Sequence, residues 1–317
     1  MISWLGQRWR SALSDPQRLH TPLLTTAEVA GLAAKGRELA LRQPRLLDTP
    51  RAGDWPAPRL GHGLDFETAR PYMLGDDIRH MDWRSTARSG RAYLRLYREE
   101  REASLHLVID RGPAMRFGTR RRLKAAQAAR VAVLLAYAAS AARYSLGATL
   151  WDAGDVELPA RNGDEAAHAL AQAAARACPP SGPTMASEDA ARLARLTATL
   201  PRGSHIVLIS DFTWLMPDHW TLLARLAEHS EVWAVVIADP AERRLPDMGL
   251  VQFFDLHNGH LSWVDTRRAA TQIANAFAQR QTELSARLQA LGARYLLIGS
   301  EDEDLLTHFV AHAVSSK

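Results

Sequence analysis

The chain has 317 residues, 47% of them hydrophobic, which suits one large packed domain with additions, or two modest ones, and excludes a disordered chain. Its formal net charge is only +4 and the arginines that supply most of the positive charge are scattered, so a nucleic-acid partner is not demanded and none is expected, though a basic nucleic-acid binder stays open as a further reading. The single cysteine, Cys178, excludes an intramolecular disulfide and a cysteine-rich zinc site, and favours a reducing, cytoplasmic setting.

Residues 1–24 read as a basic tail without the apolar run of a secretory signal. Trp4, Leu5, Trp9 and Leu13 fit one face of a short amphipathic helix. A frayed or docking terminus is the plain reading, and peripheral contact with a membrane surface the functional one. Thr25 and Glu28 make a capping box, so a helix is expected over 25–42. Pro44, Pro50, Gly53, Pro56 and Pro58 mark a linker over 43–58. The tail, helix and linker together form the segment 1–58.

Residues 59–102 are dense in charge and aromatic side chains and show little periodicity until Tyr93, Leu94 and Leu96 indicate a strand over 92–97. From residue 103 the pattern changes. Short apolar strands are expected at 105–109, 148–151, 156–158, 206–209, 232–238, 251–256, 260–264 and 294–298. Helices are expected at 122–143, 164–177, 187–200, 217–229, 266–291 and 302–313. Asp152-Ala153-Gly154 and Asn258-Gly259 signal hairpin turns, and Gly147 reads as the stop of the helix over 122–143. The apolar stretch 131–139 falls short of the ~20 residues that a bilayer needs and is flanked by Arg130 and Arg143, so it reads as a buried helix. Strands alternating with helices predict an α/β, doubly wound, mostly parallel sheet over 103–317, with 1–58 as a small N-terminal extension.

In such sheets ligands bind beyond the carboxyl ends of the strands, where the strand order reverses. Two strands here end in acids, one at Asp110 and one at Ser210-Asp211. Carboxylates there suit a hard cation, and helix capping or loop hydrogen bonds are the plain alternative. Asp110, the later Gly182-Pro183-Thr184 and Asp211 together resemble the von Willebrand factor A fold, which carries a metal-ion-dependent adhesion site opening on Asp-x-Ser-x-Ser. The resemblance assigns Asp110, Thr184 and Asp211 to that site, but Gly112 and Ala114 stand where its two serines would be. Losing two oxygen ligands lowers affinity for magnesium, which wants near-octahedral coordination. Arg111 is expected to add a positive charge at the mouth. No cofactor is therefore expected, and a magnesium ion on Asp110, Thr184 and Asp211 is the alternative.

The segment 59–102 carries a second resemblance. Gly61-His62-Gly63-Leu64-Asp65-Phe66, Arg70-Pro71-Tyr72, Gly75-Asp76-Asp77-Ile78-Arg79, Met81-Asp82-Trp83 and Ala87-Arg88 are similar to the signature of the bacterial family called domain of unknown function number fifty-eight. The later run of Asp239-Pro240, Glu242 and Leu245-Pro246 also resembles it. That resemblance implies a von Willebrand factor A-like domain after the signature. It also implies partnership with a MoxR-type AAA+ ATPase in chaperone-like assembly or maturation of client proteins. Two roles are open for the signature. Asp76, Asp77 and Asp82 with Arg70, Arg79, Arg84 and Arg88 can form an ion-pair network over Tyr72 and Trp83 that braces a small subdomain. Alternatively, the exposed aromatic and arginine side chains make a docking surface.

The sequence holds no Gly-x-x-x-x-Gly-Lys-Ser/Thr loop, no Gly-x-Ser-x-Gly elbow and no His-Glu-x-x-His pair, and His257 and His260 are expected to face water. The leading expectation is thus a non-enzymatic adaptor. A metal-dependent ligand binder is the rival, and a hydrolase using the acidic cluster the third reading.

Overall fold

A computed structural model describes residues 20–42, 66–73, 77–97, 103–178, 186–254 and 261–315. Trp4, Leu5, Trp9 and Leu13 of the tail, the linker over 43–58, Thr184, and the Asn258-Gly259 turn with His257 and His260 lie outside them. The chain divides into two compact units. One joins residues 1–48 to 103–317, and the other is 49–102.

Helix α1 (Thr26–Arg42) opens on the expected capping box, in which Thr25 N donates to Glu28 Oε2 at 2.9 Å and Glu28 N donates to Thr25 Oγ1 at 3.2 Å. In the unit 49–102, strands β1 (Phe66–Pro71) and β2 (Tyr93–Tyr97) pair antiparallel, with an irregularity between Phe66 and Thr68. The strand β1 was not expected, because Phe-Glu-Thr-Ala-Arg-Pro has no apolar alternation and becomes a strand by pairing with β2. A 3-10 turn (Ile78–His80) and helix α2 (Trp83–Ser89) lie between them. Helix α2 stops at Gly90, which takes the left-handed conformation (φ 70°) that glycine adopts without strain.

The larger unit continues with β3 (Ser104–Asp110), α3 (Lys124–Ala141), β4 (Ser145–Trp151), β5 (Val156–Arg161), α4 (Asp164–Ala175), α5 (Ala186–Thr199), β6 (His205–Ser210), α6 (Pro217–Ala227) and β7 (Glu231–Ala238). It ends with the one-turn α7 (Pro240–Arg243), the hairpin β8 (Leu250–Phe254) and β9 (Leu261–Asp265), then α8 (Thr266–Ala290), β10 (Arg294–Gly299) and α9 (Leu305–Ser315). Six strands make one sheet in the order β10-β7-β6-β3-β4-β5, parallel except for β5. From β3 the chain builds outward through β4 and β5, then returns to β6 and builds the other way through β7 and β10. The switch point is therefore the paired carboxyl ends of β3 and β6.

Alternate strand residues point to opposite faces, and each face is covered by helices. Leu105, Leu107, Ile109, Val207, Ile209, Val235 and Ile237 join a core with α1, α3 and α4. Val108, Ile206, Leu208, Ala234 and Val236 join another with Leu193 and Leu196 of α5, Leu223 and Leu226 of α6, and Leu284 and Leu288 of α8. Helix α3 is buried almost throughout, including the apolar stretch 131–139. Among the described residues no helix is long and apolar enough to cross a membrane. Gly147 does not stop α3, which ends at Ala141, two residues before Arg143 turns the chain in a left-handed conformation (φ 61°). It lies inside β4 instead, where a Cβ would come within 2.9 Å of His106 Nδ1.

Candidate functional site

Asp110 closes β3 at the switch point and is buried. Its Oδ1 accepts from Gly112 N at 2.8 Å and its Oδ2 from Ser210 Oγ at 2.5 Å. Ser210 Oγ in turn accepts from Phe212 N and Trp214 Nε1, each at 2.9 Å. Asp211 Oδ1 accepts from Thr213 N at 2.9 Å and Thr213 Oγ1 at 2.7 Å. Its Oδ2 meets the ammonium of Lys124 at 2.7 Å.

Lys124 is the first residue of α3 and is 1% exposed. The same Nζ lies 2.6 Å from Glu242 Oε1. Glu242 sits on α7, where its Oε2 accepts from Asp239 N at 2.8 Å in a capping box. Asp239 also accepts from Thr119 N at 2.9 Å, Ala241 N at 3.0 Å and Ser300 Oγ at 2.9 Å, and from the Thr119 hydroxyl. One bonded network thus joins the carboxyl ends of β3, β6, β7 and β10 to the start of α3.

Burial opposes charge on the Lys124 ammonium, but the carboxylates of Asp211 and Glu242 outweigh it and hold the group above its ordinary value. Burial likewise opposes charge on Asp211, and the charge and hydrogen bond of Lys124 hold it below the usual carboxylate range. Burial and then the charge of Asp211 push Asp110 up to about 7, against the bonds from Ser210 and Gly112. The bond pattern favours the ionised form of Asp110. Ser210 Oγ already receives two donors and has one proton to give.

The residues assigned to magnesium by resemblance do not fit the ion as they stand. Gly112 and Ala114 supply no side-chain oxygen, both oxygens of Asp110 accept hydrogen bonds, and an ammonium already sits on Asp211. Thr184 lies outside the described residues. Among the described residues no group of three His, Cys, Asp or Glu side chains is arranged to hold a metal ion.

The positive charge expected at the mouth from Arg111 is elsewhere. Its guanidinium is buried beneath the end of α4, donating to Ala173 O at 3.2 Å, Arg176 O at 3.2 Å and Ala177 O at 2.5 Å, with Asp152 at 3.4 Å. A cation there adds donors to the carbonyls at and just beyond the helix end and complements its dipole. The cation at the switch point is Lys124, which the sequence did not single out. Two signals that were not used bear on the arrangement. Asp239-x-x-Glu242 has capping-box spacing, and Lys124 is one of only three lysines in a chain otherwise supplied with arginine.

In the signature segment, Asp77 caps the 3-10 turn and chelates Arg79, at 3.0 Å from Nε and 2.8 Å from Nη2. Asp82 caps α2, accepting from Arg84 N at 3.2 Å, Ser85 N at 3.3 Å and Ser85 Oγ at 2.6 Å. Arg88 lies in the last turn of α2, and Tyr72 is half-buried with its N–H on Ala92 O at 2.8 Å. Arg70 stands opposite Leu94 in the ladder, while Asp65, Gly75 and Asp76 lie outside the described residues. Trp83 does not pack beneath an ion-pair network as expected. It is 66% exposed, and Ile78 and Met73 are exposed with it.

A second exposed apolar feature belongs to the hairpin of the larger unit. Leu261 faces Phe254, Trp263 faces Gln252 and Asp265 faces Leu250 in the ladder, so Leu250, Leu261 and Trp263 share one face. All three are exposed, Trp263 at 65%.

Comparison with known proteins identifies relatives across nearly the whole chain. An uncharacterised protein of Mycobacterium bovis is 29% identical over 308 residues, covering 95% of this chain and 96% of the relative. An uncharacterised protein of Mycobacterium tuberculosis matches to the same extent, 29% over 308 residues. Among solved structures, a conserved hypothetical protein BatB from Bacteroides thetaiotaomicron aligns with 12% identity over 67% of this chain and 98% of its own, at a TM-score of 0.42. An aerotolerance-related membrane protein from Bacteroides fragilis aligns with 12% identity over 67% of this chain and 99% of its own, at a TM-score of 0.43. The match to the sequence family described as protein of unknown function DUF58 extends over residues 68–287, from the signature segment to the long helix α8, and the chain belongs to that family.

Proposed function

We propose that the protein is a non-enzymatic adaptor with a von Willebrand factor A-like domain, working in the cytoplasm with a MoxR-type AAA+ ATPase in the assembly or maturation of client proteins. The strand order and the acids at its switch point support the domain assignment. The choice of ATPase rests on the family resemblance. The carboxylates at the switch point are engaged with Lys124, Ser210 and backbone N–H groups, which suits a scaffold more than a centre that must exchange protons or ligands.

The observation that carries the adaptor reading is the hairpin face of Leu250, Leu261 and Trp263. Large apolar side chains left in water on a hydrogen-bonded two-stranded sheet suit a contact surface, and tryptophan is over-represented among energetically dominant contacts. The test is binding of the MoxR-type ATPase encoded by the same organism to the purified protein, read by calorimetry and by hydrogen exchange. Trp263→Ala is expected to weaken binding by roughly tenfold or more, the scale of a hot-spot residue, with the melting temperature unchanged. Absence of binding, or binding indifferent to Trp263 and without protection at β8, β9 or residues 77–97, would sink the reading.

A further inference from the structure

We infer that the Lys124 ammonium takes the place of a divalent cation at the sheet's switch point, so that the protein closes this site on itself and loads no metal there. The inference goes beyond the adaptor reading and stands whichever partner the protein has.

Three features carry it. The first is position: Nζ reaches Asp211, just beyond the end of β6, at 2.7 Å and Glu242 on α7 at 2.6 Å, from a lysine 1% exposed. Those carboxylates come from elements far apart in the chain and converge on one atom. The second is saturation. Asp211 directs Oδ1 to Thr213 and Oδ2 to Lys124, while Asp110 directs Oδ1 to Gly112 N and Oδ2 to Ser210 Oγ. A metal would have to strip these bonds and expel a paired ammonium from a buried position. The third is the loop after β3. Gly112 carries no side chain, and a Cβ there would stand 3.0 Å from Asp110 Oδ1, so the loop already closes tightly on the acid.

Lysine suits the role chemically. Its ammonium is a compact point charge with three donors on a flexible stem, closer to a spherical ion than a planar guanidinium is. Being tethered, it is present whenever the chain is folded, at any metal concentration. The consequence for recognition is definite. A partner that completes a metal's coordination with its own carboxylate has no ion to find at this edge, and contacts must be made elsewhere on the surface.

The experiment is manganese binding to the metal-free full-length protein, followed by electron paramagnetic resonance and calorimetry. The wild type is expected to show no site tighter than about 1 mM. In Lys124→Met, shown folded by circular dichroism, Asp211 and Glu242 lose their cation, and a manganese site at least about tenfold tighter is expected. Wild-type binding that Asp211→Ala abolishes would overturn the inference, and so would a folded Lys124→Met that gains no site. Should Lys124→Met fail to fold, the double variant Gly112→Ser/Ala114→Ser decides. It restores both hydroxyls beside an intact lysine, and it must remain unable to bind manganese. Binding by that variant would show that the missing hydroxyls, and not the ammonium, exclude the ion.

Discussion

Lys124 and Asp211 are both buried, and each offsets the charge of the other, with Glu242 sharing the ammonium. Removing one partner strands a charge in a poorly solvated place, which typically costs about 3–5 kcal/mol, whereas replacing both with apolar groups costs far less. Asp211→Ala and Lys124→Met are therefore each expected to lower unfolding free energy by about 3–5 kcal/mol, while Lys124→Met/Asp211→Leu falls well short of their sum. Urea unfolding of the four proteins measures the coupling, and strict additivity would mean that the pair does not act as a pair. The acids of this site were legible in the sequence because an apolar strand that ends in Asp is a local pattern, visible at Asp110 and Asp211. Lys124 was not legible, because its partners are 87 and 118 residues away and nothing local distinguishes it from a solvated residue in the first turn of a helix. Arg111 misled for the opposite reason. It neighbours Asp110 in sequence, yet its guanidinium reaches the carbonyls at the end of α4.

Among the elements, the β3–β4 pair carries a titration with a definite sign. His106 of β3 lies opposite Gly147 of β4, and the missing side chain there leaves room for the imidazole, whose Nε2 is 2.8 Å from Thr149 Oγ1. Burial pushes the imidazole down to about 4, with Glu157 opposing. Between that value and the ordinary histidine value near 6.5 the unfolded chain binds a proton that the folded chain refuses, so stability falls as pH falls. His106→Gln keeps a group that can bond Thr149 and removes the titration. Between pH 7 and pH 5 the wild type is expected to lose about 1–2 kcal/mol more than His106→Gln, measured by urea unfolding at both pH values. Equal losses would mean that water reaches the ring and the shift is absent. The same pair shows how far elements can be read from sequence. Apolar runs marked β3, β4, β6, β7 and β10, since a strand buried on both faces needs them along its whole length. The strand β1 carries no such run, and Gly147 was misread because a glycine between a helix and a strand signals a stop unless the opposing His106 is known.

At the scale of the whole molecule, the α/β unit is not continuous in sequence. Helix α1 precedes the segment 49–102 in the chain and yet packs on α3, burying Leu32, Ala33 and Leu39. The helices meet almost backbone to backbone at Gly36, where a Cβ would lie 2.4 Å from the carbonyl oxygen of Leu134 and 3.0 Å from Tyr137 Cβ. Leu23 N also donates to Ala175 O at the end of α4, at 2.8 Å. The sequence marked α1 as a helix by its capping box, but the proline-rich stretch after it pointed to a separate extension. A chain cut to residues 103–317 keeps every strand of the six-stranded sheet but uncovers Leu134 and Tyr137. Fully burying a side chain such as Leu is worth about 1.5–3 kcal/mol, so several such losses consume much of a domain's net stability. The fragment 103–317 is expected to melt well below a version that carries residues 20–42 on a flexible linker and also lacks 49–102, and to bind a hydrophobic dye. Gly36→Leu in the full chain is expected to shift melting in the same direction, because a side chain there must push the two helices apart. The comparison with the linked version separates the contribution of α1 from that of the 49–102 unit. If the 103–317 fragment matches the linked version in melting temperature, α1 adds nothing to the fold, and residue 103 is a true boundary in space as well as in sequence.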